Sequence, residues 1–88
     1  MNKELELFLK SKAKETPYGG YTFILEGINF SVIEMPLGLS LQYYYIGIRE
    51  TVEPKEIMLD KNVSLQDFSK KTIEIVEGIK NAQTLFQK

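Results

Sequence analysis

The chemistry open to this chain is narrow, because its 88 residues include no histidine and no cysteine. Histidine is the commonest general base at neutral pH and the commonest zinc ligand, and the cysteine thiolate is a ready nucleophile and metal ligand. What is left is Glu, Asp, Lys, Tyr, Ser, Thr and a single arginine, Arg49. Acid–base catalysis with these alone needs carboxylates or lysines strongly tuned by burial or by a neighbouring charge. No pair of acids announces such tuning. The expectation is a protein that is not an enzyme, with no cofactor and no metal.

The remaining motifs each have a plainer explanation than chemistry. Glu53, Glu56 and Asp60 carry the oxygens a hard cation needs, but they lack the alternating ligand spacing of a calcium loop and read as a solvated acidic loop. Gly19-Gly20 is followed by no Gly-Lys-Ser/Thr and reads as a turn rather than a phosphate loop. Asn62-Val63-Ser64 matches a glycosylation acceptor. Met1–Glu15, however, alternates charge with apolar residues and has no continuous apolar core of the kind a secretory signal requires. Ser64 is better explained as a helix cap. No apolar run approaches the roughly 20 residues that cross a bilayer. The expected location is therefore the cytoplasm, away from membranes.

Tyr43-Tyr44-Tyr45 has the aromatic faces on which nucleic-acid bases stack. Base stacking on a protein surface goes with a basic field, and here the surroundings are acidic. Residues 16–63 hold six acids against three basic groups, while residues 1–15 and 64–88 each carry four lysines against three acids. The charge speaks against nucleic acid. A nucleic-acid-associated regulator using its Lys-bearing helices is the alternative to a protein contact. The Lys-, Ile- and Glu-rich composition is compatible with an AT-rich bacterial or phage genome.

The elements that position these residues follow from periodicity. Residues 2–15 read as a helix capped by Asn2, with Leu5, Phe8, Leu9 and Ala13 on one face and Leu7 pointing away. It ends before Thr16-Pro17, since a residue preceding proline is pushed out of helical geometry. Pro17–Gly20 is a connector, and Tyr21–Glu26 a strand. A turn within Glu26-Gly27-Ile28-Asn29 leads to a second strand over Phe30–Met35, and Pro36-Leu37-Gly38 turns the chain again. Glu56–Asp60 reads either as loop or as a short fourth edge strand. Ser64 and Asp67 fit a capping box, and Val63 and Phe68 a hydrophobic staple. From there Leu65, Phe68, Thr72, Ile75, Val76, Ile79 and Phe86 line one face of a long final helix, opposite Lys70, Glu74, Glu77 and Asn81. Asp67 and Lys71 form a favourable i,i+4 pair. This helix is longer than the strands, so Leu85 and Phe86 are expected to overhang the sheet.

The third strand, Leu39–Glu50, breaks the alternation expected of a half-buried strand. Leu39, Leu41, Tyr43 and Tyr45 share one parity, while Tyr44, Ile46 and Ile48 make the other apolar as well. Two readings follow. A β-bulge near Gln42-Tyr43 would shift the alternation by one residue. Alternatively, the strand is regular and both faces of the sheet are covered. Either leaves Tyr43, Tyr45 and Arg49 outward if Ile46 and Ile48 point inward, with Ile24 and either Val32 or Ile33 beside them. Tyrosine and arginine are enriched at interface centres.

The whole reads as one α+β domain over residues 1–88. It has an N-terminal helix, a three-stranded antiparallel meander with the open option of a fourth edge strand, and a long C-terminal helix on the sheet. The expected function is a non-enzymatic protein-binding module: an adaptor, a chaperone-like subunit or an inhibitor of a host protein. It would act through Tyr43, Tyr45 and Arg49 and through the overhanging Leu85 and Phe86. Its partner is another protein or a second copy in a homodimer.

Overall fold

A computed structural model of the chain describes residues 1–45 and 54–86, with side chains as far as residue 81. Asn2 starts the first helix, its Oδ1 accepting a hydrogen bond from the Leu5 N–H at 3.1 Å. That satisfies one of the donors a helix leaves open at its start. Helix α1 runs Lys3–Lys12, with Leu5 and Leu9 fully buried and Leu7 exposed. On its solvent side Glu6 and Lys10 pair at 3.2 Å, acid before base at the favourable i,i+4 spacing.

The helix stops short of the expected residue 15. Ala13 is already extended, and Lys14–Glu15 form a two-residue strand, β1, paired with the next strand. The reason lies in Thr16–Gly20. The Thr16 N–H donates to the Gly20 carbonyl at 2.9 Å, and the Gly19 N–H donates back to the Thr16 carbonyl at 3.2 Å. Gly19 holds a left-handed φ of 84°. A turn closed by a left-handed residue is a standard three-residue hairpin connection. The supposed connector thus ties two strands together, and helix geometry at residues 13–15 would break that pairing.

Strands β2 (Tyr21–Leu25), β3 (Ile28–Met35), β4 (Gly38–Tyr45) and β5 (Lys55–Leu59) follow. Glu26 and Gly27 join β2 to β3 with φ of 50° and 79°, the paired positive values of a type I′ turn. Pro36-Leu37 joins β3 to β4, proline supplying its fixed φ. The sheet order is β1-β2-β3-β4-β5, antiparallel throughout. The short edge strand beyond the meander exists as β5, and β1 adds a strand at the opposite edge. Five described strands therefore replace the expected three or four, and the α+β class holds.

Helix α2 spans Leu65–Phe86. Ser64 Oγ accepts from the Asp67 N–H at 3.1 Å, the cap the sequence indicated. Lys71 pairs with Glu74 at 3.7 Å rather than with Asp67. Near the far end, Lys80 Nζ meets Glu26 Oε1 at 2.5 Å in the β2–β3 turn. The helix then continues six residues, to Phe86, adding about 9 Å at 1.5 Å per residue.

The core combines Leu5 and Leu9 of α1, Phe68 and Val76 of α2, and Tyr21, Ile28, Phe30, Val32, Leu39 and Leu41 of the sheet. Phe23 stacks on Phe30 at 5.2 Å and tilts against Phe68 at 6.2 Å, linking sheet to helix. The strand register puts every sheet residue of this cluster on the same face. Both helices accordingly pack on one face, and among the described residues nothing covers the other. No described helix is long and apolar enough to cross a membrane.

Candidate functional site

The register of the ladders decides what the uncovered face carries. Lys14 of β1 stands opposite Thr22 of β2, Thr22 opposite Ser31 of β3, Ser31 opposite Gln42 of β4, and Gln42 opposite Glu56 of β5. Residues directly opposite in an antiparallel pair point the same way. These five therefore form one polar row across the whole sheet, on the side away from the helices. Its hydrogen bonds are local. Thr22 Oγ1 donates to the Phe30 carbonyl at 3.0 Å, with Asn29 Oδ1 as an alternative acceptor at 3.3 Å. Ser40 Oγ and Gln42 Nε2 donate to Glu56 Oε2 at 2.9 and 3.1 Å.

Those two donors favour the ionised carboxyl, so Glu56 is held below its ordinary pKa of 4.5, Gln42 contributing most and Ser40 next. Ser40 is itself buried, between the β3 and β5 side chains that flank it. No buried side-chain polar atom among the described residues lacks a partner.

Apolar residues flank the polar row on both sides. Along one side the register sets Ile24, Asn29 and Tyr44 in a line; along the other it sets Ile33, Ser40 and Met58, with Met35 beyond. Ile24 is 65% exposed, Met58 49%, Met35 42% and Tyr44 41%. Ile24 and Ile33 lie on this side as the strand patterns indicated, and Val32 does not.

The tyrosines are placed the other way round from expectation. The β3–β4 pairing runs one to one from Ile28↔Tyr45 to Met35↔Gly38, so β4 contains no bulge. Leu39 and Leu41 are fully buried under the helices, and regular alternation then turns Tyr43 and Tyr45 inward as well. Tyr43 lies at 6.0 Å from Phe30, and Tyr45 packs over Gly27, where an added Cβ would stand 3.5 Å from its Cε2. Tyr44 is the tyrosine that faces outward. The physical cause is that two leucines outweigh any preference of a tyrosine, whose ring and hydroxyl suit either a half-buried or an exposed position.

Arg49, Ile46, Ile48 and Glu53 lie outside the described residues. Leu85 and Phe86 sit on the last turns of α2 beyond Lys80, and their side chains also lie outside what is described. Of the acids once grouped as a loop, Glu56 points onto the open face, and Asp60 accepts from the Asn62 N–H at 2.8 Å in the turn after β5. Among the described residues no group of three or more acids gathers as a metal site.

A second surface lies at the β2 edge, where α1 and α2 leave an open, mostly apolar groove of about 470 Å³ between Phe8, Phe23, Phe68, Thr72 and Ile73, with Lys12 at its rim. The sequence placed Phe8 in the core. It is 37% exposed instead, because Leu5 and Leu9 already fill the contact with the sheet.

No family model matches the chain, and no curated protein or solved structure is significantly similar to it. The functional reading therefore rests on the surface itself. The sequence named Tyr44 only within the tyrosine triplet and Glu56 only as a possible cation ligand, and it did not assign Met58 or Lys14 to a contact surface. The signal that finds them is turn length: two-residue turns at Glu26-Gly27 and Pro36-Leu37 fix the register, and Leu39 and Leu41 then fix which face is wet.

Proposed function

We propose that this protein is a non-enzymatic binding module for another protein chain, and that its contact surface is the outer face of the sheet centred on Tyr44. The observation that supports the reading is the placement of both helices on one face. A five-stranded sheet is left with a whole side carrying Ile24, Ile33, Met35, Tyr44 and Met58 beside a hydrogen-bonded polar row. Apolar side chains scattered singly are normal on a surface, whereas a set gathered on one flat face marks a contact region. An adaptor, a chaperone-like subunit or an inhibitor fits this surface.

The charge pattern favours protein over nucleic acid. Lys10 pairs with Glu6, Lys71 with Glu74 and Lys80 with Glu26. The helices thus carry interleaved charge rather than the basic field that phosphate contacts require.

Photocrosslinking tests the reading. A photoreactive phenylalanine analogue replaces Tyr44 in the full chain, and in a control chain it replaces Glu77 on the exposed side of α2. The expected result is protein adducts of defined mass from position 44 and none from position 77. Equal labelling from both positions, or none from position 44, overturns the proposal.

A further inference from the structure

The polar row on the outer face is neutral in its middle and oppositely charged at its ends. Lys14 stands on β1, Glu56 on β5, and Ser31 between them on the central strand. At a strand spacing of about 4.8 Å the row is about 19 Å long, with Ser31 at its midpoint. Lys14 makes no ion pair among the described residues. Both internal bonds to Glu56 end on Oε2, leaving Oε1 as a free acceptor. A surface that is positive at one end, negative at the other and neutral at the centre is complementary to itself under one rotation.

We propose that the occupant of the outer face is a second copy of this chain, docked face to face about a two-fold axis that runs along β3. This inference rests on the reading of the outer face as a contact surface. The rotation reverses strand order while keeping position along the strands. Lys14 then lies over the second copy's Glu56 and Glu56 over its Lys14, while Thr22 meets Gln42 and Ser31 meets Ser31 on the axis. The same operation sets Ile24 against Tyr44 and brings the two copies of Ile33 together. The competing in-plane axis, at right angles to the strands through Ser31, would instead set Lys14 over Lys14 and Glu56 over Glu56. Like charges facing each other oppose that arrangement.

The dimensions are consistent with such a dimer. Packed sheets sit about 10 Å apart, a gap that a lysine and a glutamate side chain span together. Aligned sheets cross at about 30°, which tilts the axis about 15° away from β3 and displaces the ends of the row, about 10 Å from the axis, by roughly 5 Å. A lysine chain covers that offset. The face measures on the order of 500 Å² per copy and 1,000 Å² in total, from strand spacing and rise, at the lower limit for a specific interface. The complex is accordingly weak and reversible, and the charge pair chooses its orientation more than its strength.

Sedimentation equilibrium of the full chain, from micromolar to millimolar concentration, tests the inference. The unmodified chain is expected to dimerise reversibly. Lys14→Glu is expected to weaken the dimer about tenfold or more, equivalent to 1.4 kcal/mol. Combining Lys14→Glu with Glu56→Lys is expected to restore it to within about threefold of the unmodified chain, by re-forming the pair with reversed sign. Because Glu56→Lys also removes internal hydrogen bonds, Ser31→Arg serves as an independent variant: it puts two like charges on the axis and should leave only monomer with an unchanged circular dichroism spectrum. A chain that is monomeric throughout, or a dimer indifferent to Lys14→Glu and Ser31→Arg, overturns the inference. If Tyr44 crosslinks to a protein of another mass while the purified chain stays monomeric, the self-contact is wrong and the contact surface stands. If position 44 gives no adduct at all, both are wrong.

Discussion

Glu56 and Glu26 illustrate how single residues are held in place by different forces. Glu56 is exposed, yet Gln42 and Ser40 aim two donors at one of its oxygens. Its pKa in the folded chain is therefore below the ordinary 4.5. A depressed carboxyl stabilises the fold fully above its unfolded pKa and loses that contribution as pH falls through the folded value. Glu56→Gln is accordingly expected to lower the urea midpoint near neutrality and to match the unmodified chain once the carboxyl is protonated. Urea titrations between about pH 3 and pH 7 check this, and a pH-independent difference would contradict it. Glu26 takes a left-handed φ of 50°, a conformation that costs a non-glycine residue roughly 1–2 kcal/mol. The type I′ turn requires it, and the contact with Lys80 anchors α2 at that corner.

At the scale of elements, register governs everything that follows. Because β4 is unbulged, Tyr43→Ala removes a ring packed on Phe30 and is expected to cost about 2–3 kcal/mol, while Tyr44→Ala is expected to cost below about 1 kcal/mol. Equilibrium unfolding of the two variants checks the parity, and the reverse order would contradict the register. Helix α2 was legible in the sequence because a capping serine starts it and a helical period runs along its 22 residues. The meander was legible because Gly, Asn and Pro mark its turns. The strand β1 was not, since two residues have no period and a helical pattern runs into them. The parity of β4 was not legible either. Three consecutive tyrosines remove the polar contrast from which alternation is read, and the residues that break the tie are Leu39 and Leu41, upstream.

At the scale of the molecule, one side of the sheet carries the whole core. A chain of this size has on the order of 4–13 kcal/mol of stability in total. Phe68 is 1% exposed and packs against Phe23 from α2. Phe68→Ala is expected to cost about 3–5 kcal/mol and so bring the chain close to unfolding at ordinary temperature. Thermal denaturation checks this; a loss below about 1 kcal/mol would mean that α2 is not what closes the core. Among the described residues, the same one-sidedness leaves Tyr44 and its neighbours without cover. The sequence by itself determined the two helices and the central meander, though not β1, because caps, turn residues and periodicity act over a few residues. It also determined that histidine and cysteine chemistry is closed to this chain. Only the tertiary structure decided which face of the sheet is dry. That choice depends on where two helices, separated from one another by more than fifty residues, both come to rest, and the tyrosines between them were compatible with either side.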